Sequence, residues 1–282
     1  MNGLFETGIA GAIGAVAVGL AWAIAHRVGP AGTRRHRTVL LVVFVALFTL
    51  GSAALMPHAR AWKQEREVEA LLREDPVFAA ALEDEPSLRE PLREAVLGGL
   101  RGGGSGEAVA AGLRVLSPKL WRSVPGASDA AALRLGQALV ATLEDLRARD
   151  PQQCYRFLFP AVAGAPAGGG SPRDEGLLRA LGAVALSARA GSAEPLDRRA
   201  AAKHVDACFN RIRERYGSDI DVLKNAQASG VDRARVCAMT IALYAELVAL
   251  PSPAAGQALR HVLGPAEPAA APAGAAAPPS LP

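Results

Sequence analysis

The residue types that most often do chemistry in proteins are dispersed along this chain of 282 residues, which has five histidines and three cysteines. No two histidines have the His-x-x-x-His spacing, and no two cysteines have the Cys-x-x-Cys spacing, that places metal or haem ligands side by side. Carboxylates such as those at 83–85 fall in turns or in the first turns of predicted helices, where they offset the helix dipole. We therefore predict no catalytic residue, no cofactor and no metal site.

A glycine-rich stretch at 102–106 is the nearest approach to a phosphate-binding or nucleophile motif. It lacks the Lys-Ser/Thr ending of a phosphate-binding loop, and Glu107 stands where a nucleophile elbow read from Gly103 needs its last glycine. Neither motif has a predicted strand before it. The stretch 102–106 therefore predicts a flexible connector between helices, and the glycines of 98–106 end the helix that begins at Pro86.

The three cysteines differ in their positions on the predicted helices. Cys208 lies within the apolar stripe of one helix, where a free cysteine packs as a small hydrophobic residue. Cys154 follows the helix-ending Pro151, and Cys237 lies early in an apolar helix, so both are near element ends. We predict a Cys154–Cys237 disulfide, which requires an oxidising compartment. The alternatives are Cys154–Cys208, Cys208–Cys237 and three free thiols in a cytoplasmic domain.

An aromatic segment follows Cys154: Tyr155, Phe157 and Phe159 are three of the ten phenylalanine and tyrosine residues of the chain. Two interpretations stay open. A knot of rings between helices is a usual part of a core, and an exposed one is a patch for a protein partner.

Two uncharged apolar runs, 8–25 and 38–56, organise the first part of the chain. Each is close to the about 20 residues that a helix needs to cross a bilayer. We predict a transmembrane hairpin over 1–57, with helices at about 8–25 and 38–56 and a connector at 26–37. A hydrophobic core hairpin is one alternative. A cleaved signal peptide is another, although residues 1–26 contain no lysine or arginine.

The connector carries the charges that set orientation in a membrane, since positive loops stay in the cytoplasm. Its arginines are Arg27, Arg34, Arg35 and Arg37. They predict a multi-pass protein of the inner membrane whose C-terminal domain lies outside the cytoplasm, in the periplasm of a Gram-negative cell. Three basic residues soon after the second run oppose this orientation: Arg60, Lys63 and Arg66.

Small residues recur at spacings of three and four residues in the first run, at Gly8, Gly11, Ala15 and Gly19. Such faces let two helices approach closely in lipid. They predict either a homodimer or packing of the first helix against the second helix of the same chain.

The remainder, 58–263, predicts a soluble helical domain. Apolar residues recur at helical spacing after His58, as in Val68, Leu71 and Leu72, and no run alternates as a strand does. The Pro/Ala-rich tail at 264–282 is predicted to be disordered. The fold class is therefore all-α.

Charge argues against nucleic acid as a partner. The formal charge is +4, and the first 56 residues account for +3 of it, so the domain itself is nearly neutral. Membrane lipid and an envelope protein are the expected partners. We expect a non-enzymatic helical interaction or scaffold domain, and the alternatives are a cytoplasm-facing adaptor or regulator and a membrane-tethered hydrolase whose site is non-local.

Overall fold

Helices make up all the regular secondary structure in the residues that the computed structural model describes, which are 15–24, 26–27, 34–159, 174–191, 193–228 and 230–264. The all-α class is confirmed. The helices are α1 (15–24), α2 (Arg34–Glu74), α3 (Pro76–Asp84), α4 (Arg89–Gly103), α5 (Ser105–Arg122), α6 (Asp129–Arg149), α7 (Pro151–Leu158), α8 (Glu175–Arg189), α9 (Arg198–Tyr216), α10 (Arg233–Val248) and α11 (Ala254–Leu263). Short 3-10 helices span Pro86–Leu88, Val124–Gly126 and Gly217–Asn225.

The chain divides into two compact units, Met1–Glu69 and Ala70–Pro282. The domain boundary after residue 57 stays a prediction, and helix α2 runs through Pro57 without a break. Proline removes one backbone hydrogen bond, and the residues that follow are mostly strong helix formers. The predicted continuation of this helix beyond His58 is therefore confirmed.

The predicted connector is shorter than the sequence indicates, since three of its arginines, Arg34, Arg35 and Arg37, lie within α2. Among the described residues, no helix combines the length and the apolar character of a membrane span. The predicted transmembrane hairpin is thus unsupported by the fold. Much of its first helix and connector, 1–14, 25 and 28–33, lies outside the described residues, as does the tail from residue 265.

Most helices of the C-terminal unit begin at an aspartate or serine whose side chain accepts hydrogen bonds from the first turn, which satisfies backbone donors that have no partner within the helix. Ser128 caps α6, as its sequence predicts. Asp150 caps α7 with Pro151 at the first helical position, so Pro151 begins a helix here as well as following the end of α6. Helix α8 is capped by Asp174, whereas the predicted cap Ser171 lies outside the described residues.

A buried arginine joins helix α11 to the middle of the C-terminal unit. Arg260 of α11 is 2% exposed and donates from Nε and Nη2 to the carbonyl of Pro125, at 3.1 and 2.7 Å. It also donates to the Glu194 carbonyl and to Asp129 Oδ1, both at 2.9 Å. Gly256 permits this approach, because a Cβ there would collide with the Asp129 backbone. Four N–H groups of a buried cation are thereby satisfied.

The glycine-rich stretch is mostly helical, so the prediction of a flexible connector at 102–106 is wrong. Helix α4 extends to Gly103, and α5 begins at Ser105. Only Gly104, with φ of 82°, lies between them, in a conformation that favours glycine. The helices pack closely at Gly99, where a Cβ would lie 2.5 Å from the Ala108 Cα. Close packing of α4 on α5 therefore outweighs the low helix propensity of glycine.

Two glycines of α4 should respond in opposite directions to alanine. We expect Gly99→Ala to lower the free energy of unfolding by about 1 to 3 kcal/mol, because the new methyl group forces α4 from α5. Gly102→Ala should raise it by about 0.5 to 1 kcal/mol, because nothing lies within 4 Å of its added Cβ and alanine favours the helix. Urea unfolding of the detergent-solubilised full chain measures both. Equal effects would show that α4 and α5 do not pack at Gly99.

Candidate functional site

The N-terminal unit exposes many large apolar side chains on its surface. Helix α1 exposes side chains on nearly every side: of residues 15–24, only Ala17 and Ala21 are buried. The large exposed residues are Val16, Val18, Leu20, Trp22 and Ile24, between 43% and 63% exposed. Since successive helical positions turn by about 100°, these side chains point in several directions. A helix that is apolar all round is normally buried in a core or in lipid.

Helix α2 is apolar on both of its faces between residues 38 and 50. One face is half-buried and consists of Val39, Leu40, Val43, Phe44, Leu47 and Phe48. The opposite face is exposed and carries Leu41, Val42, Val45 and Leu50, all at least 50% exposed. A helix on the surface of a water-soluble protein has a polar outer face. We name the exposed apolar residues of α1 and of α2 up to Leu50 the apolar surface.

Aromatic and basic side chains lie near one end of the apolar surface and beyond the other. Trp22 stacks on His26 with 5.2 Å between ring centroids, and Arg27 beside it is exposed. Well beyond the other end, about 18 Å past Leu50 along α2, the Arg66 guanidinium lies 4.0 Å from the centroid of the Trp62 ring. Tryptophan and arginine are typical of the boundary between an apolar and an aqueous phase.

The predicted small-residue face has only two members among the described residues, Ala15 and Gly19, since Gly8 and Gly11 lie outside them. Both are exposed, and a Cβ built on Gly19 would meet nothing within 4 Å. Gly19 therefore does not pack against the second helix. The buried small residues of α1 are Ala17 and Ala21 instead.

In the C-terminal unit, Cys154 of α7 and Cys237 of α10 lie at disulfide distance, with 6.0 Å between their Cα atoms. Cys208 of α9 is free and buried. The two cysteines that were predicted to pair therefore lie at disulfide distance. Both alternative pairs require Cys208, which is free. The sequence signal for this pairing is that each cysteine lies within the first two turns of its helix, Cys154 in α7 and Cys237 in α10.

The aromatic segment lies on α7 and not between helices. Tyr155 is fully buried, and its hydroxyl donates to the Ala226 carbonyl at 2.8 Å. Its ring contacts Phe159 at 5.0 Å between centroids and lies under the Arg233 guanidinium. Tyr155 is therefore a core residue, and its assignment to a partner patch is wrong. Phe157 and Phe159 are half-buried, so the patch as a whole is not available.

Cys208 has the surroundings of a structural thiol. Burial raises the pKa of the Cys208 thiol, although the nearby Arg211 guanidinium opposes that shift. Arg211 Nη2 lies 3.1 Å from the sulfur, and its Nε donates to Glu246 at 2.8 Å. Because the thiolate is the nucleophile, a raised pKa makes Cys208 unreactive at neutral pH.

A shallow groove of about 790 Å³ lies along α4 and α5. Its lining contains Glu107, Arg114 and Glu175, and the remaining positions are glycine and alanine. Glu107 accepts from Arg114 Nη2 at 2.8 Å. The lining has no serine, cysteine or histidine to act as a nucleophile with a base. No group of three or more metal-ligating side chains occurs in the described part of the chain.

Sequence reasoning missed three features of these sites: the Trp62–Arg66 pair, the groove and the buried Arg260. The first had a signal, since tryptophan and arginine lie four residues apart on a predicted helix. The other two depend on contacts between distant segments. Comparison of the chain with protein families, curated proteins and solved structures finds no match.

Proposed function

We propose that the chain is a membrane protein whose N-terminal unit is a lipid-embedded hairpin anchor. The anchor presents the C-terminal unit as a non-enzymatic helical interaction or scaffold domain on the outer side of the inner membrane. The observation that carries the proposal is the apolar surface, where large side chains up to 69% exposed cover several sides of α1 and the outer face of α2.

Lipid accounts for this pattern better than a protein partner does. A partner helix or groove covers one face of a helix, whereas α1 exposes apolar side chains in several directions. Transfer of apolar area out of water is worth about 25 cal/mol per Å², so an aqueous location for these residues would be costly. A bilayer solvates all of these directions at once.

The placement outside the cytoplasm is supported by the cysteine pair and by the connector. Disulfides persist in oxidising compartments, and the pair Cys154–Cys237 lies in the C-terminal unit. The basic residues of 26–37 favour a cytoplasmic connector. A scaffold role accords with a groove that lacks a nucleophile and with a thiol that burial keeps protonated.

The anchor is tested by Val45→Arg, on the exposed face of α2. An arginine at the middle of a membrane helix costs about 2.5 to 3.5 kcal/mol on insertion scales. We expect the wild-type protein to stay in the membrane pellet after extraction with alkaline carbonate. The fraction of V45R that is released into the supernatant should be severalfold larger than that of the wild type. Fractionation followed by immunoblotting measures this.

Val115→Arg is the matched control, since Val115 is also an exposed valine but lies in the C-terminal unit. We expect V115R to fractionate as the wild type does. Complete release of the wild-type protein by carbonate without detergent would overturn the anchor. Equal release of both variants would show that insertion does not depend on the apolar surface.

A further inference from the structure

The exposed side of α2 continues past the apolar surface along the same face. Within 38–50 the exposed positions recur at intervals of three and four residues, and this pattern continues after Leu50. The exposed positions that continue it are 53, 54, 57, 58, 61 and 62. Trp62, 48% exposed, is the large apolar side chain at the end of this row. The face that we propose to meet lipid therefore ends in an exposed tryptophan.

Distance along the helix places Trp62 in the headgroup layer. That layer adds about 5 to 8 Å to each side of the hydrocarbon, which is itself about 30 Å thick. Residues 38–56 span about 27 Å, and Trp62 follows Met56 by about 9 Å. Helical side chains point back toward the N-terminus, so the Trp62 ring reaches toward the hydrocarbon boundary.

Arg66 brings a cation to the same level. Its side chain also points back along the helix, and its guanidinium lies 4.0 Å from the centroid of the Trp62 ring. Guanidinium groups bind phosphate oxygens with paired hydrogen bonds that lie in the plane of the group, and a ring over the face of the cation does not occupy these in-plane N–H groups. Trp62 and Arg66 thus offer an apolar ring and a phosphate donor together.

We propose that Trp62 and Arg66 form a binding site for the headgroup of an anionic phospholipid at the membrane surface that α2 reaches after residue 56. This inference rests on the proposed membrane anchor. The adjacent Glu65 and Glu67 oppose a large anionic assembly, so the site takes one headgroup phosphate. An anionic lipid is favoured over phosphatidylcholine, because choline neutralises the phosphate of the latter.

The depth of Trp62 in the bilayer is tested first. The full chain is reconstituted in vesicles, with Trp62 as the single tryptophan in a W22F/W121F background. We expect lipids brominated near the headgroup, at carbons 6 and 7, to quench its fluorescence at least twofold more than lipids brominated at carbons 11 and 12. A chain that keeps only Trp121, which lies in the C-terminal unit, is the control and should be quenched by neither lipid.

Lipid choice is tested next, in mixed vesicles where either phosphatidylglycerol or phosphatidylcholine carries the bromine at equal mole fraction. Brominated phosphatidylglycerol should quench Trp62 about twofold more. Arg66→Gln should bring this ratio to one, Arg66→Lys should retain part of it, and millimolar inorganic phosphate should leave it unchanged. Loss of the preference in phosphate would mean that the site takes the free anion and not lipid.

The outcomes separate this site from the anchor. Absence of quenching of Trp62 by every brominated lipid overturns the site, whereas complete release of the wild-type protein by carbonate overturns the anchor. Stronger quenching by the deep bromines leaves the anchor in place and overturns the interfacial position of Trp62. Equal quenching by the two headgroup classes in the wild type overturns the preference for anionic lipid.

Discussion

Replacement of Arg260 by methionine is expected to lower the free energy of unfolding of the C-terminal unit by about 3 to 5 kcal/mol. Methionine keeps much of the side-chain volume but removes every donor. The carboxylate of Asp129, 15% exposed, then loses its ion-pair partner. The carbonyls of Pro125 and Glu194 lose their hydrogen bonds from this side chain. Urea unfolding of the full chain in detergent, followed by circular dichroism, measures the loss.

Arg134→Met supplies the control, because Arg134 lies exposed on α6 and makes only a 3.4 Å contact with the Ala130 carbonyl. It should change the unfolding free energy by less than about 0.5 kcal/mol. The double variant R260M/D129L should recover part of the loss, since replacing both members of a buried pair is far less harmful than replacing one. An R260M protein as stable as R134M would mean that Arg260 is solvated in the native state.

Loss of the disulfide is the second large effect that we expect. The double variant C154S/C237S should lose about 4 kcal/mol of stability, because a cross-link over 83 residues restricts the unfolded chain strongly in the loop-entropy model. Reduction of the wild type should have the same effect on its urea midpoint, and reduction should leave the double variant unchanged.

Cys208→Ser serves as the control, since Cys208 is free and its variant should keep the response to reductant. Peptide mapping after alkylation of protein taken directly from cells under non-reducing conditions shows which thiols are labelled. Only Cys208 should be labelled, and only after unfolding. A labelled Cys154 or Cys237 would contradict both the bond and the placement of the C-terminal unit outside the cytoplasm.

Local signals in the sequence predict much of this fold. Ser128 before a leucine stripe predicts the start of α6, because a serine oxygen can accept from the first turn. Helical spacing after His58 predicts the continuation of α2. The cysteine pair followed from element ends, since two backbones can approach there. Each inference uses residues within one or two turns of each other.

The errors arise where contacts between distant residues outweigh local preference. Glycine disfavours helix, yet Gly99 lies in α4 because the Ala108 backbone occupies the space of its missing side chain. The sequence leaves Tyr155 open between a core and a partner patch, and its hydrogen bond to the distant Ala226 carbonyl in the core decides between them. Neither partner is identifiable from spacing along the chain.

The candidate site was predictable in part. Hydropathy identifies the runs 8–25 and 38–56, but both faces of α2 are apolar there, so periodicity does not reveal which face is exposed. Trp62 falls outside both runs, because charged residues around it lower the local hydropathy. Its place in the row of exposed residues is seen only when the exposure of each helical position is known.

The position of α11 at the end of the described chain has a consequence for synthesis. This helix packs against α6, α9 and α10, and it buries Ala255, Gly256, Ala258, Leu259 and Arg260. Those earlier-synthesised helices therefore cannot complete their packing until α11 has left the ribosome. Folding of the C-terminal unit is therefore completed only once α11 has been synthesised, and its inner leucines remain in a less compact state until then.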